Sequence, residues 1–224
     1  MTVSGIDQVV IATEDESIVR EAESFGAEVM ITSPDCRNGT ERCAEVLDKL
    51  TVRPDIVVNF QGDAPLTPPW FVEALTWAMD AQPEIGVATP VLRCDREAFE
   101  GFQADRRAGR VGGTTAVFDR KGRGLYFSKE VIPYTGSRVV DEGEIPVFHH
   151  VGVYAYRPEP LAAYPGLDEG VLERNEGLEQ LRFIEHGFSV HCVEVHARGA
   201  RFWELNNPED VPRIESVLTE RGMP

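Results

Sequence analysis

Short apolar runs and amphipathic stripes alternate along the first part of the chain. Residues 8–13 form an apolar run that predicts a buried strand, and Glu14, Asp15 and Glu16 then open an acidic helix start. The helical stripe continues to residue 25, where Gly26 supplies a stop. A second strand is predicted over 27–31. Residues 40–50 place Cys43, Val46, Leu47 and Leu50 on one helical stripe. A third strand follows over 55–60, ending in Gln61-Gly62-Asp63, then a helix over 69–79 and a strand over 85–89. Such alternation with short links predicts an α/β fold with a mostly parallel sheet covered on both faces. In sheets of this kind ligands sit at the carboxyl ends of strands. The loops after Thr13, Ile31, Phe60 and Thr89 are therefore the candidate sites.

The pattern changes after residue 90. Residues 112–118 and 124–127 read as strands around the turn Asp119-Arg120-Lys121-Gly122, and 147–156 alternates as one further strand. A helix is predicted over 178–186, a strand over 190–195, and a C-terminal helix to about 221, capped by Asn207-Pro208-Glu209-Asp210. The chain thus reads as a single domain over 1–224, with a smaller mixed lobe inserted at about 120–190.

Composition narrows the function classes. The 224 residues carry 22 basic and 38 acidic side chains, a net charge of −16. That balance argues against a nucleic-acid partner, because phosphate backbones are bound by Lys/Arg patches. No apolar run approaches a membrane span, and the N-terminus lacks a basic region followed by an apolar core. Cysteines 36, 43, 94 and 192 lack the close spacing of a zinc or redox motif and read as thiols of a reducing cytoplasm.

Four segments could carry chemistry. Asp63, just past a strand and behind a glycine, is placed either for Mg²⁺, which takes one or two carboxylates plus substrate phosphates, or as a cap for the next helix. In Asn38-Gly39-Thr40-Glu41-Arg42 the amides and hydroxyl at a helix start could read a base edge or an anion, or Thr40 could simply cap the helix. His150, Gly152, Tyr154 and Tyr156 share one strand face and could bind a polyhydroxy acid or line a wet core. Glu176, Glu179 and Gln180 share a side if the helix is continuous there, which a solvated face laced with ion pairs would also explain.

Taken in order, these segments resemble the 3-deoxy-manno-octulosonate (Kdo) cytidylyltransferase, or CMP-Kdo synthetase, family. The resemblance rests on Val10-Ile11-Ala12-Thr13-Glu14-Asp15, Asn38-Gly39-Thr40-Glu41-Arg42, Gln61-Gly62-Asp63-Ala64-Pro65 and Leu125-Tyr126-Phe127-Ser128. It continues through His150-Val151-Gly152-Val153-Tyr154-Ala155-Tyr156, Leu178-Glu179-Gln180-Leu181-Arg182 and Asn207-Pro208-Glu209-Asp210. It implies a Rossmann-like, GT-A-like nucleotidyltransferase domain that joins CTP and a 2-keto sugar acid into a CMP-sugar and pyrophosphate. By the resemblance, Asp63 is catalytic and, with Asn206, holds Mg²⁺. Gly39, Thr40 and Arg42 surround the nucleotide. Gln61, His150, Tyr154, Glu179 and Gln180 line the sugar-acid pocket, and residues 126–156 serve a homodimer interface.

Several positions depart from the family pattern. The family opens with a strand and a loop of the form P-A-R-x-x-S-x-R-x-P-x-K that wraps the triphosphate, and the sequence starts after that point. Thr115 stands where the family has Lys, Lys129 where it has Arg, His149 where it has Arg, and Asn206 where it has the second metal-binding Asp. Asn keeps an oxygen ligand but loses a charge, so a weaker metal site is expected. Lys129 and His149 open the alternative of another acid, an amino-Kdo or a nonulosonate. Asn206 and the start point open that of a catalytically silent nucleotide-binding homologue.

Overall fold

The computed structural model describes residues 3–111, 113–136, 145–200, 205 and 211–220. The first unit follows the predicted order, with β1 (Val10–Thr13), α1 (Glu16–Ser24) and β2 (Glu28–Ile31). The Asp15 side chain starts α1 by accepting from the Ser17 amide at 2.7 Å. Gly26, at φ +78°, turns the chain back into β2. β1 and β2 pair in parallel, Val10 opposite Glu28.

Next come α2 (Gly39–Lys49), β3 (Val57–Phe60), α3 (Pro69–Ala81) and β4 (Val87–Arg93). Helix α4 (Arg96–Arg107) is not among the predicted elements. Asp95 caps it by accepting from the Ala98 amide, and Phe99 and Phe102, three apart, bury against Cys94 and Val147. The remaining elements are β5 (Thr114–Phe118), β6 (Gly124–Ser128), β7 (Phe148–His150), β8 (Val153–Tyr156), α5 (Pro158–Ala163), a 3₁₀ turn (Tyr164–Gly166), α6 (Val171–Glu176), α7 (Gln180–Glu185), β9 (Val190–Val195) and α8 (Val211–Glu220). The predicted cap at 207–210 lies outside the described residues.

The expectation of a mostly parallel sheet is corrected. Only β1–β2 and β4–β9 pair in parallel among the described residues; β3–β8, β4–β8, β4–β7, β5–β7 and β5–β6 are antiparallel. β3 and β4 do run in the same direction, as a helical crossover through α3 requires. They are not neighbours, however, because β8 inserts between them and pairs antiparallel with both. The β1–β2 pair forms a separate two-stranded sheet, and α2 packs against both β1 and β3.

The strand predicted over 147–156 is two strands, broken at Val151-Gly152. β7 pairs with the C-terminal half of β4 and β8 with its N-terminal half. The break faces Pro90, which has no amide proton for a ladder, while its carbonyl accepts from the Val151 amide at 3.1 Å. The Thr89 hydroxyl lies 2.9 Å from the Val153 carbonyl and 2.9 Å from His150 Nε2, so the polar groups freed by the break stay paired.

Alternation along β8 feeds two cores. Val153 and Ala155 face α3, where Phe71, Leu75 and Met79 are fully buried. Tyr154 and Tyr156 face the other layer, beneath Leu47 of α2, Leu161 of α5 and Leu181 and Phe183 of α7. Each such apolar side chain contributes about 1.5–3 kcal/mol on burial. Among the described residues no helix is long and apolar enough to cross a membrane.

Candidate active site

Helix α2 starts close against the end of β3. Asn38, in extended conformation, caps α2 by accepting from the Glu41 amide at 2.9 Å. The cap is therefore Asn38 and not Thr40. Gly39 follows where no side chain fits, since a Cβ there would meet Gln61 Nε2 at 2.8 Å and Asn59 Nδ2 at 2.9 Å. The Thr40 amide donates to Glu179 Oε2 at 2.9 Å, and its hydroxyl lies 2.7 Å from the Tyr156 hydroxyl. Gln61 Nε2 donates to the other Glu179 oxygen at 2.5 Å. One carboxylate thus ties the start of α2, the loop after β3 and the start of α7 together, beside the positive end of the α2 dipole. Burial raises the Glu179 pKa, an effect partly offset by the Thr40 and Gln61 donors.

Behind this junction lies a row of rings. His150 and Tyr154 have centroids 5.6 Å apart, and Tyr154 stacks on Tyr156 at 6.0 Å. All three are buried, so the predicted shared face exists as an interior wall. The Tyr154 hydroxyl donates to Gln180 Oε1 at 2.9 Å, whereas the buried Gln180 Nε2 has no hydrogen-bond partner among the described residues. Burial holds His150 neutral, with its pKa pushed down to about 3.

A layer of charge supports α2 and α7 from within. Arg182, 1 % exposed, donates from Nε and Nη2 to the two Glu173 oxygens at 2.6 Å each and from Nη1 to Glu41 at 3.0 Å. Its guanidinium lies 4.3 Å over the Tyr164 ring. Glu41 also accepts from the Arg37 amide and side chain at 2.5–2.8 Å. Burial opposes ionisation of Glu41, but the Arg37 and Arg182 donors outweigh it and draw its pKa down to about 2. The i,i+4 spacing of Arg37 and Glu41 was a local signal for half of this network. The Arg182 link, 141 residues apart in sequence, had none.

Asp63 stands apart. It is exposed on the turn that the Gln61 carbonyl closes with the Ala64 amide at 3.2 Å, and its own carbonyl accepts from the Leu205 amide at 2.6 Å. Partial enclosure raises its carboxyl pKa, and no salt bridge reaches it among the described residues, nor do three or more metal-ligating side chains cluster there. Asn206 lies outside the described residues.

Gly39, Thr40, Gln61, His150, Tyr154, Glu179 and Gln180 are thus brought into one neighbourhood, and Asn59, Tyr156 and Arg182 join them. Arg42 does not point into the junction. It bridges Glu14 at 2.5 Å and the Thr32 hydroxyl at 2.5 Å, tying α2 to the ends of β1 and β2. Glu176 is separated as well, because Gly177 at φ +61° ends α6 and breaks the helix that would have aligned it with Glu179. Its carboxylate accepts instead from the Tyr126 and Ser128 hydroxyls and the Lys129 amide. His149 lies on the face of β7 opposite His150, edge-on to Phe102 at 5.1 Å and away from the aromatic wall. Thr115 is a buried brace, donating to the Glu130 carbonyl at 2.6 Å.

Residues 2–191 match the cytidylyltransferase family. A 3-deoxy-manno-octulosonate cytidylyltransferase from Maricaulis maris is 40% identical over 220 residues, covering 98% of this chain and 84% of the relative. A mitochondrial 3-deoxy-manno-octulosonate cytidylyltransferase from Arabidopsis thaliana is 36% identical, covering 97% of this chain and 71% of the relative. The structure of a CMP:2-keto-3-deoxy-manno-octonic acid synthetase complexed with CTP superposes with a TM-score of 0.82 at 29% identity, covering 98% of this chain and 83% of that one. The match spans the helix start, the β3 loop and the aromatic wall alike, and the chain belongs to the cytidylyltransferase family.

Proposed function

We propose that the chain transfers the cytidylyl group of CTP to Kdo or a closely related 2-keto sugar acid and releases pyrophosphate. The observation that carries the reading is the junction itself. The start of α2, Gln61 and the Glu179–Gln180 pair meet at one point in a chain 40% identical to a relative of that name. The sugar acid's anomeric oxygen forms a bond to the α-phosphorus as the bond to the departing pyrophosphate breaks, and the hydroxyl proton leaves to solvent or a nearby base. Little covalent chemistry falls to the protein, so its task is alignment and charge neutralisation.

The backbone around Gly39 approaches a ligand closely, and Thr40 continues that edge for the nucleotide. Gln180 Nε2 is a buried donor with no partner among the described residues, suited to a hydroxyl or carboxylate of the acid. His150 and Tyr154 back that side. The exposed Asp63 carboxylate, with no salt bridge among the described residues, suits a divalent metal, and by the family resemblance Asn206 would be a further oxygen ligand. Mg²⁺ bound there would neutralise charge on the triphosphate. The reading extends to a cytoplasmic homodimer. It is supported by four free thiols and by Tyr134, 95% exposed within the segment assigned to the interface.

The test is incubation of the full chain with CTP, Mg²⁺ and Kdo, followed by pyrophosphate release. A panel including an amino-Kdo and a nonulosonate identifies the acceptor. CTP binding with no pyrophosphate from any acid would overturn the transferase reading.

A further inference from the structure

The charged layer under the junction is placed where it can set the geometry of transfer. Arg182 follows Gln180 by two residues on α7, and Glu41 follows Thr40 by one on α2. Their 3.0 Å contact therefore joins the helical turns that carry the acid-side and nucleotide-side groups. A second route runs in parallel. The Tyr164 hydroxyl donates to the Glu179 carbonyl at 3.0 Å and accepts from Asn38 Nδ2 at 3.2 Å, and Arg182 lies against the Tyr164 ring. The first route passes through the Arg182 guanidinium and the second through the Tyr164 ring on which that guanidinium packs, and neither touches the space assigned to substrate. Stability alone is a poor reason for such an arrangement, since apolar side chains of similar volume often stabilise a core as well as a buried ion pair does. Geometry is a better one, because in-line transfer tolerates little misplacement.

We propose that Arg182 is a positioning residue that fixes the spacing between the nucleotide and sugar-acid subsites through Glu41 and Tyr164, so that filling one subsite is felt at the other. This rests on the assignment of the two subsites made under the proposed function. A single guanidinium meets three demands at once: a two-pronged grip on Glu173, a third donor to Glu41, and a flat face on Tyr164. A lysine can meet only some of them.

The test uses the full-length native chain, Arg182→Lys, Arg182→Met and Glu41→Gln. Calorimetry measures the Kd of CDP, a non-reacting stand-in for CTP, with and without Kdo, and the converse. In the native chain each ligand should tighten the other by about 5-fold or more. In Arg182→Met and Glu41→Gln that coupling should fall below about 2-fold, with each separate Kd within about 3-fold of native and kcat lowered more than KM is raised. Arg182→Lys should recover part of it. Glu41→Gln keeps the Arg182–Glu173 pair, so it carries the test should Arg182→Met fail to fold. Native-like coupling in Glu41→Gln and in any folded Arg182 variant would overturn the proposal, as would ligands that bind the native chain independently. A native chain that binds neither ligand overturns the functional assignment, and the positioning role with it.

Discussion

The junction of α2 and α7 and the loop bearing Asp63 lie at the same end of the sheet yet are built on opposite plans. At the junction most of the charge is answered from within: Arg182 by Glu173 and Glu41, Glu41 by Arg37, and Glu179 by Thr40 and Gln61. In the loop, Asp63 has no salt bridge among the described residues and opens to solvent. A region completed internally holds its shape before any ligand arrives. A region whose carboxylate meets no described cation is the one the proposed metal would complete. The comparison teaches where to expect costs in stability and where to expect costs in activity, and substitutions can separate the two.

The largest expected effect is on folding. Arg182→Met leaves Glu173 and Glu41 buried without their shared cation and should cost about 3–5 kcal/mol, a large part of the 5–15 kcal/mol typical of a domain. Urea unfolding reads it directly, and a loss below about 1 kcal/mol would break the contrast. Asp63→Asn should do the reverse, lowering kcat on the order of 10²–10³-fold while leaving the melting temperature unchanged or slightly raised.

Acid should act on the enclosed side. His149 and His150 are held neutral by burial, with pKa values near 4 and 3 against an ordinary 6.5. Below pH 6.5 the unfolded chain therefore binds protons that the folded chain refuses, so stability falls as pH falls through that window. Each histidine contributes a slope of about 1.4 kcal/mol per pH unit. Glu179 and Asp63, whose pKa values are raised, pull the other way, so the sharper reading is a difference. His149→Phe should flatten the native pH–stability curve between about pH 4 and 6.5 by one such slope, and parallel curves would count against it.

Gly39→Ala comes next, at about 1–3 kcal/mol, because the new methyl meets the Asn59 and Gln61 amides. Weaker nucleotide binding should accompany the lower melting temperature. Arg42→Ala should be mildest, at about 1 kcal/mol or less, because its bridge to Glu14 is partly exposed. A loss of nucleotide affinity beyond about 10-fold in that variant would return Arg42 to the site.

Much of this contrast was legible in local sequence. Asn38-Gly39-Thr40 announced a helix start, Gln61-Gly62-Asp63 a strand end, and the spacing of His150, Tyr154 and Tyr156 a shared face that survives the break at Val151-Gly152. The misses are of two kinds. Helix α4 carried readable signals, Asp95 as cap and Phe99 with Phe102 three apart, inside a stretch read as a change of pattern. The insertion of β8 between β3 and β4, the Arg182–Glu41 contact and the diversion of Arg42 to Glu14 had no local signature. Each depends on residues brought together only by the assembled fold. Gly177 falls between these cases: a glycine inside a helical stripe was visible, but its left-handed conformation, which separates Glu176 from Glu179, was settled by packing.

Strand β4 receives β7 and β8 on one edge and β9 on the other, and the last of these ends at residue 195 of 224. On the ribosome, one edge of β4 can be met by β7 and β8 once residue 156 has emerged, but the other must wait for β9, whereas β1, α1 and β2 are adjacent in sequence and can meet early. An apolar strand edge kept waiting that long is an invitation to chaperones. A nascent chain stalled near residue 185 should be held by them, and one released past β9 should let go.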